Sequence, residues 1–219
     1  MIIHRKINLE GSPGRMFVVG DLHGAFDPLI EALRAVSFDR QQDHLFSVGD
    51  LIDRGPKSLE LLRLFESEPN LHAVRGNHEE MVLEREMHMH QANGGRWYWE
   101  IPVTEQDEVD AIIGGMPLIM TVVSPSGRKI GIVHADVAGT DWDSFVGGLE
   151  QDFPDFQAHA QWSRLGIGQA KAEGRARIKG VDMVYMGHTP NGAPVGSGNC
   201  RWIDTGAYFN EKVYLEQVA

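Results

Sequence analysis

Residues 16–24 read MFVVGDLHG, a run of four apolar residues followed by a glycine, an aspartate and a histidine. The run predicts a short buried strand with polar residues at its carboxyl end. Two stretches repeat this arrangement, HLFSVGD at 44–50 and LHAVRGNHE at 71–79. Helical patterns begin near Asp27 and Ser58, between these strands. Alternating strands and helices of this kind are typical of α/β units.

Further strand patterns follow without long helical patterns between them, at 118–123, 129–134, 182–187, 200–206 and 212–218. A helical pattern covers about 79–91, and the less regular stretch 91–115 predicts a small helical insert. We therefore expect a mixed α/β fold, a sandwich of two sheets with helices outside, formed as a single domain over residues 1–219.

Composition and charge exclude several classes of protein. The net charge of −11 disfavours nonspecific binding to nucleic acid, because phosphate backbones are held by clustered lysine and arginine. No stretch approaches the ~20 apolar residues that cross a bilayer. The single cysteine, Cys200, cannot form a disulfide within the chain. We expect a cytoplasmic protein that binds neither nucleic acid nor membranes.

The polar residues that follow the predicted strands form a metal-binding pattern. Ligands bind at the carboxyl ends of strands in α/β sheets, so positions scattered in sequence converge there. Imidazole, carboxylate and amide oxygen suit Mn, Fe or Zn, and we expect two divalent ions, with Mn²⁺ as the first choice. The predicted ligands are Asp21, His23 and Asp50 for the first ion and Asp50, Asn77, His134 and His188 for the second.

Such a centre favours phosphate ester hydrolysis. Two ions about 3.5–4 Å apart can lower the pKa of a bridging water and stabilise an in-line displacement at phosphorus. His78 follows the predicted ligand Asn77 and is the candidate general acid, and Asp53 could orient its ring. Arg54 and Arg75 offer forked donors that match phosphate oxygens.

The motifs GDLHG, GDLIDRG, RGNHE, HAD and GHT, in this order between residues 20 and 189, resemble those of the metallophosphoesterase superfamily. Within it they are most similar to the phosphoprotein phosphatase family, which includes small bacterial and phage serine/threonine phosphatases. The resemblance implies the same six metal ligands, the acid His78 with Asp53, and Arg54 and Arg164 as phosphate-binding arginines. It also implies a phosphoprotein substrate and activity on aryl phosphates.

The tyrosine-bearing loop near the C-terminus of eukaryotic family members is not apparent in the sequence. We therefore expect no obligatory regulatory subunit and a monomer that acts alone.

Two other functions stay open at this stage. Symmetrical diadenosine tetraphosphate hydrolases are similar. The resemblance nevertheless implies that aspartate at position 53 and glutamate at position 79 favour a protein phosphatase over such a hydrolase. A non-catalytic scaffold would be expected to lack ligands or the acid, and all are present. The histidines outside the motifs are predicted to have surface or packing roles: His4, His44, His72, His88, His90 and His159.

Overall fold

The fold is built from two β-sheets packed face to face, with helices on their outer surfaces. A computed structural model describes residues 1–218. Within these residues the strands are β1 His4–Asn8, β2 Met16–Val19, β3 His44–Ser47, β4 Leu71–Ala73, β5 Ile119–Val123, β6 Lys129–Val133, β7 Met183–Met186, β8 Val195–Ser197, β9 Cys200–Trp202 and β10 Leu215–Val218.

The helices are mostly short. Over the same described residues they are α1 Phe26–Ala35, α2 Ser58–Ser67, α3 Asn77–Leu83, α4 Met87–Ala92, α5 Arg96–Glu100, α6 Val103–Gly115, α7 Trp142–Glu150, α8 Pro154–Trp162, α9 Leu165–Ala172 and α10 Ala207–Asn210.

The two sheets are both mixed. The smaller has the order β10-β2-β3-β4 and the larger the order β1-β5-β6-β7-β9-β8. Strands β2, β3 and β4 are parallel to one another, as are β6, β7 and β9. Each sheet therefore brings the carboxyl ends of three parallel strands to one edge.

Strand β2 shows why the sequence forms this sandwich. Met16 and Val18 belong to an apolar cluster that contains residues of both sheets, whereas Phe17 and Val19 pack in a second cluster with residues of α1 and α2. Successive side chains of a strand point to opposite faces. Because both faces are covered, β2 reads as a continuous apolar run rather than as an alternating one.

The predicted fold class and all eight predicted strands are confirmed. Two strands were missed: β1, whose residues are mostly polar, and β8, which has only three residues. The helical pattern over 79–91 is two helices, because the chain turns at Arg85, where φ is 58°. The stretch 91–115 is helical as expected, but α6 buries Val109 and Ile113 in the core beside α2.

The second half holds more helix than its sequence patterns indicated. Helices α7, α8 and α9 lie between β6 and β7, and each has only eight or nine residues. No helix within residues 1–218 is long and apolar enough to cross a membrane. The monomeric state, the single domain and the cytoplasmic location stay predictions.

A stack of aromatic rings lies on edge strand β4 and its neighbour β3. The ring of His72 is 4.8 Å from that of Phe46 and 6.0 Å from that of His44, measured between centroids. Burial lowers the pKa of His72 to about 4, and the nearby His44 and Arg5 act in the same direction. The protonated form of His72 is therefore disfavoured in the folded protein.

This shift predicts acid sensitivity. The unfolded pKa of histidine is near 6.5, so the unfolded chain binds a proton first, and stability falls as the pH drops from about 6.5 to 4. Between about pH 7 and pH 5, wild type should lose about 1–2 kcal/mol more unfolding free energy than His72→Gln, measured by urea denaturation in metal-free buffer. The exposed His88→Gln should behave like wild type. Equal losses for wild type and His72→Gln would contradict the prediction.

Candidate metal centre

Buried polar side chains from both sheets meet where the parallel strands end. The loops after β2, β3 and β4 contribute from the smaller sheet, and those after β6 and β7 contribute from the larger one. The side chains are those predicted as ligands, Asp21, His23, Asp50, Asn77, His134 and His188, and all six are buried.

Short contacts define the centre. Oδ1 of Asn77 lies 3.0 Å from Nε2 of His134 and 2.9 Å from Nδ1 of His188. Oδ2 of Asp50 lies 3.4 Å from Nε2 of His23 and 3.4 Å from Nε2 of His134. Asp50 therefore lies between two halves of the centre, where a bridging ligand is expected.

The histidines present lone pairs to the centre. Nδ1 of His23 donates to the carbonyl of Ile52 at 2.8 Å, and Nδ1 of His134 donates to the carbonyl of Val48 at 2.9 Å. A ring nitrogen that donates outward leaves the other nitrogen unprotonated and free to bind a metal.

Two overlapping clusters could each hold an ion: His23, Asp50 and His78, and Asp50, His134 and His188, with donor atoms within 4.8 Å of one another in each. Asp21 lies against this centre, and its two carboxylate oxygens accept hydrogen bonds from the backbone N–H of His188 at 3.2 and 3.0 Å. The set of imidazole, carboxylate and amide donors fits Mn, Fe or Zn.

The pKa shifts reflect burial and crowding. Burial raises the pKa of Asp21 well above its usual range, and Asp204 and Asp50 add to the effect. Burial lowers the pKa values of His23 and His188 to about 3 each. Burial would raise the pKa of Asp50, but the surrounding histidines outweigh it, and the net shift is downward. The imidazoles are thus neutral at pH 7, as metal ligation requires.

The backbone is strained at these positions. His23, Asp50 and His188 have φ values of 44°, 51° and 67°. Such left-handed conformations are uncommon outside glycine and often mark functional sites. Gly76 allows a further close approach, because a Cβ atom there would lie 2.0 Å from Oδ1 of Asp50. The backbone of the RGNHE loop can therefore pack directly against this carboxylate.

His78 and Asp53 form the predicted pair. Nδ1 of His78 donates to Oδ2 of Asp53 at 2.6 Å, and both side chains are buried. Burial would lower the pKa of His78, but the carboxylates of Asp50 and Asp53 outweigh it and raise the pKa. His78 also lies beside the centre, with Nε2 3.9 Å from Oδ2 of Asp50.

Arg54 reaches over the same end of the centre. Its Nη1 lies 2.6 Å from Nε2 of His23 and its Nη2 lies 3.0 Å from Nε2 of His78. A guanidinium can only donate, so both ring nitrogens accept in this arrangement. The guanidinium also lies 4.9 Å from the ring centre of Tyr208. A tyrosine near the C-terminus thus lies beside the centre, although the sequence did not indicate it.

The other two arginines differ from each other in placement. Arg75 is fully buried, and its guanidinium donates to Glu80 at 3.0 Å and to the carbonyl of Met116 at 2.9 Å. The predicted phosphate contact of Arg75 is therefore wrong, because its donors face the interior. Arg164 is exposed and lies close enough to His188 to help lower the pKa of that histidine, after burial and His134. Its phosphate contact stays a prediction.

Two buried carboxylates near the centre were missed as site residues. Glu79 accepts hydrogen bonds from the backbone N–H groups of Asp50, Leu51 and Gly76 at 3.0, 2.8 and 2.8 Å, and burial raises its pKa to about 7. It ties together the loops after β3 and β4. Asp204 follows β9, where the same strand-end rule could have found it, and burial raises its pKa to about 6.

His90 and Trp97 were also missed. His90 was predicted to have a surface or packing role, but it is buried and its Nε2 lies 2.9 Å from Oδ1 of Asp53. Nε1 of Trp97 donates to the same oxygen at 2.7 Å. No sequence pattern identified these contacts, because they depend on how the short helices α4 and α5 fold back over the loop after β3.

Comparisons with known proteins identify the family of this chain. Residues 14–192 match the sequence model of the calcineurin-like phosphoesterase family. Serine/threonine-protein phosphatase 1 of Salmonella typhimurium is 35% identical over 212 residues, which cover 93% of this chain and 91% of that protein. A symmetrical bis(5'-nucleosyl)-tetraphosphatase of Ectopseudomonas mendocina is 36% identical over 123 residues, covering 56% of this chain and 44% of that protein.

Among solved structures, the cold-active protein-tyrosine phosphatase of a Shewanella species superposes with a TM-score of 0.64 at 15% identity. The match covers 98% of this chain and 78% of that one. At this identity the likeness shows the fold alone.

The geometry predicts that metal binding stabilises the protein. Adding Mn²⁺ at about 100 times its Kd to metal-free protein should raise Tm by about 5–10 °C, because an ion that binds only the folded state adds its binding free energy to folding. Asp50→Asn should remove most of this shift, since Asp50 belongs to both clusters. The exposed Asp143→Asn should retain it. A full shift in Asp50→Asn would show that the ions bind elsewhere.

Proposed function

The chain belongs to the calcineurin-like phosphoesterase family and is a phosphatase, and from this premise we propose that it is a metal-dependent serine/threonine protein phosphatase. The observation that carries the proposal is the buried pair of His78 and Asp53 beside the centre, with 2.6 Å between Nδ1 and Oδ2. An alkoxide released from phosphoserine or phosphothreonine is a strong base and needs a proton as it leaves. A polyphosphate is a much weaker base. A well-supported acid therefore favours a phosphate monoester.

We propose that Asp21, His23 and Asp50 hold one divalent ion and that Asp50, Asn77, His134 and His188 hold the other, with Mn²⁺ as the expected metal. When bound, two such ions supply an activated nucleophile and neutralise charge on the phosphoryl group. The protein contributes the fixed positions of these side chains, which the strand ends and outward hydrogen bonds of the rings determine.

Arg54 links phosphate binding to the acid. Its guanidinium bonds His23 and His78 in the present structure, and phosphate oxygens would compete for the same donors. A bound phosphate that draws Arg54 away frees Nε2 of His78. That nitrogen can then carry the proton that passes to the leaving oxygen as the P–O bond breaks. Arg164 is the second proposed phosphate contact.

A neighbouring cleft offers room for a peptide. Its volume is about 320 Å³, and Tyr208 lines it where it approaches Arg54. The charged side chains that line the cleft are Asp27, Glu31, Glu211 and Lys57. Three carboxylates against one lysine disfavour a polyphosphate chain on this side of the centre. They do not disfavour a peptide.

The alternative is a symmetrical diadenosine tetraphosphate hydrolase. The similarity to the Ectopseudomonas mendocina protein favours it, although that match covers 56% of this chain compared with 93% for the Salmonella typhimurium phosphatase. Both substrates would use the same metal centre. The two functions therefore differ in the residues that surround the metal centre, which bind the rest of the substrate and protonate the leaving group.

A direct comparison of substrates tests the proposal. With Mn²⁺ bound, we expect a larger kcat/KM on a phosphoserine peptide than on diadenosine tetraphosphate, measured at the same pH and salt concentration. p-Nitrophenyl phosphate serves as the positive control for the metal centre. A larger kcat/KM on diadenosine tetraphosphate would favour the alternative, and hydrolysis of p-nitrophenyl phosphate alone would reject both.

A variant of the acid tests the mechanism. His78→Asn should lower kcat on the phosphoserine peptide by about 10²–10⁴-fold, because no proton reaches the serine oxygen. The loss should be much smaller on 2,4-dinitrophenyl phosphate, whose leaving group is stable as an anion. His88→Asn, an exposed histidine, should match wild type on both substrates. Equal losses on both substrates in His78→Asn would remove the acid assignment.

A further inference from the structure

The carboxylate of Asp53 accepts hydrogen bonds from other side chains besides its partner His78. Three side-chain N–H groups point at it, and two of them come from the helices α4 and α5. Trp97 donates to Oδ1 at 2.7 Å, and Nε2 of His90 lies 2.9 Å from Oδ1 and 2.8 Å from Oδ2. His78 bonds Oδ2. With Trp97 on one oxygen, the carboxylate is oriented so that the other faces His78.

Hydrogen bonding assigns the tautomer of His90. Nε1 of Trp99 donates to Nδ1 of His90 at 3.1 Å, so Nδ1 carries no proton. Nε2 must then carry the proton that is donated to Asp53. His90 is therefore a neutral donor that orients the carboxylate without cancelling its charge. The negative charge of Asp53 remains available to a protonated His78.

The same segment also contacts the residue after Asp53. The backbone N–H of Arg54 donates to the carbonyl of Gly94 at 3.3 Å. Close packing within the segment explains Gly95, because a Cβ atom there would lie 2.0 Å from the ring of His90. Residues of the sequence NGGRWYW, at 93–99, thus contact His90, Asp53 and the backbone of Arg54 and hold them in place.

We propose that residues 87–100, which form α4, α5 and the turn between them, are a positioning device for the general acid. Through His90 and Trp97 they fix the carboxylate of Asp53, and Asp53 in turn orients His78. His90 and Trp97 are positioning residues, since neither touches the reacting atoms. The inference rests on the proposed function, in which His78 protonates the leaving oxygen.

The dependence of rate on the leaving group provides the test. Trp97→Phe keeps the ring but removes the N–H. In the Mn²⁺-loaded enzyme it should lower kcat about tenfold on a phosphoserine peptide, the size of effect typical of a lost supporting hydrogen bond at a catalytic site. On 2,4-dinitrophenyl phosphate, whose leaving group needs no proton, kcat should change by less than about twofold.

Tyr98→Phe is the matched control. Tyr98 is a buried aromatic residue of the same helix, and its hydroxyl bonds Asp110 and Arg85 instead of Asp53. Its removal perturbs the segment without touching the acid, so the ratio of the two rates should stay at the wild-type value. Trp99→Phe, which removes the donor to His90, should shift the ratio in the same direction as Trp97→Phe. It carries the test if Trp97→Phe does not fold.

The outcomes separate the two proposals. A selective loss on the phosphoserine peptide in both His78→Asn and Trp97→Phe supports the positioning role. A selective loss in His78→Asn with none in Trp97→Phe overturns the positioning role and leaves the acid assignment intact. Equal losses on both substrates in Trp97→Phe also overturn it, because they indicate a general structural effect. No selective loss in His78→Asn rejects the acid and the inference together.

Discussion

The side chains of Asp21 and Asp50 are carboxylates buried close to each other at one centre, and much of the structure is arranged around that constraint. Buried carboxylates are costly unless a cation or several hydrogen bonds compensate them. Here the two oxygens of Asp21 share the backbone N–H of His188, and Asp50 is surrounded by histidines. The unprotonated ring nitrogens that face the centre also favour a bound cation. A pair of divalent ions would satisfy all these groups at once.

The centre depends on backbone conformations that only the whole fold can maintain. Residues with positive φ at His23, Asp50, Asp53, Arg54 and His188 are held by loops between buried strands. Glu79 provides part of this support, because its carboxylate collects backbone N–H groups from two different loops. Sites built on rigid strand ends are more precise than sites on free loops. Here the strand ends and a buried glutamate share that function.

Sequence patterns predicted the fold and the convergence of the candidate ligands because each motif follows a strand pattern. Placing motifs at strand ends is enough to predict convergence, since parallel strands end at the same edge. The same reasoning failed for Arg75 and His90. Motif membership did not reveal that Arg75 points inward to Glu80, and helical periodicity did not reveal that His90 packs on the loop holding Asp53. Both outcomes depend on contacts between distant segments.

The contact between Asp21 and the backbone of His188 joins positions 167 residues apart. Closing so large a loop costs chain entropy before the contact can form. The two halves of the centre therefore come together only when the smaller sheet, which carries Asp21, packs against the larger sheet, which carries His188. Ions held at this centre would need side chains from both sheets, so they would stabilise a chain that is already assembled. Loss of metal should thus loosen the native state without directing the chain along a different folding route.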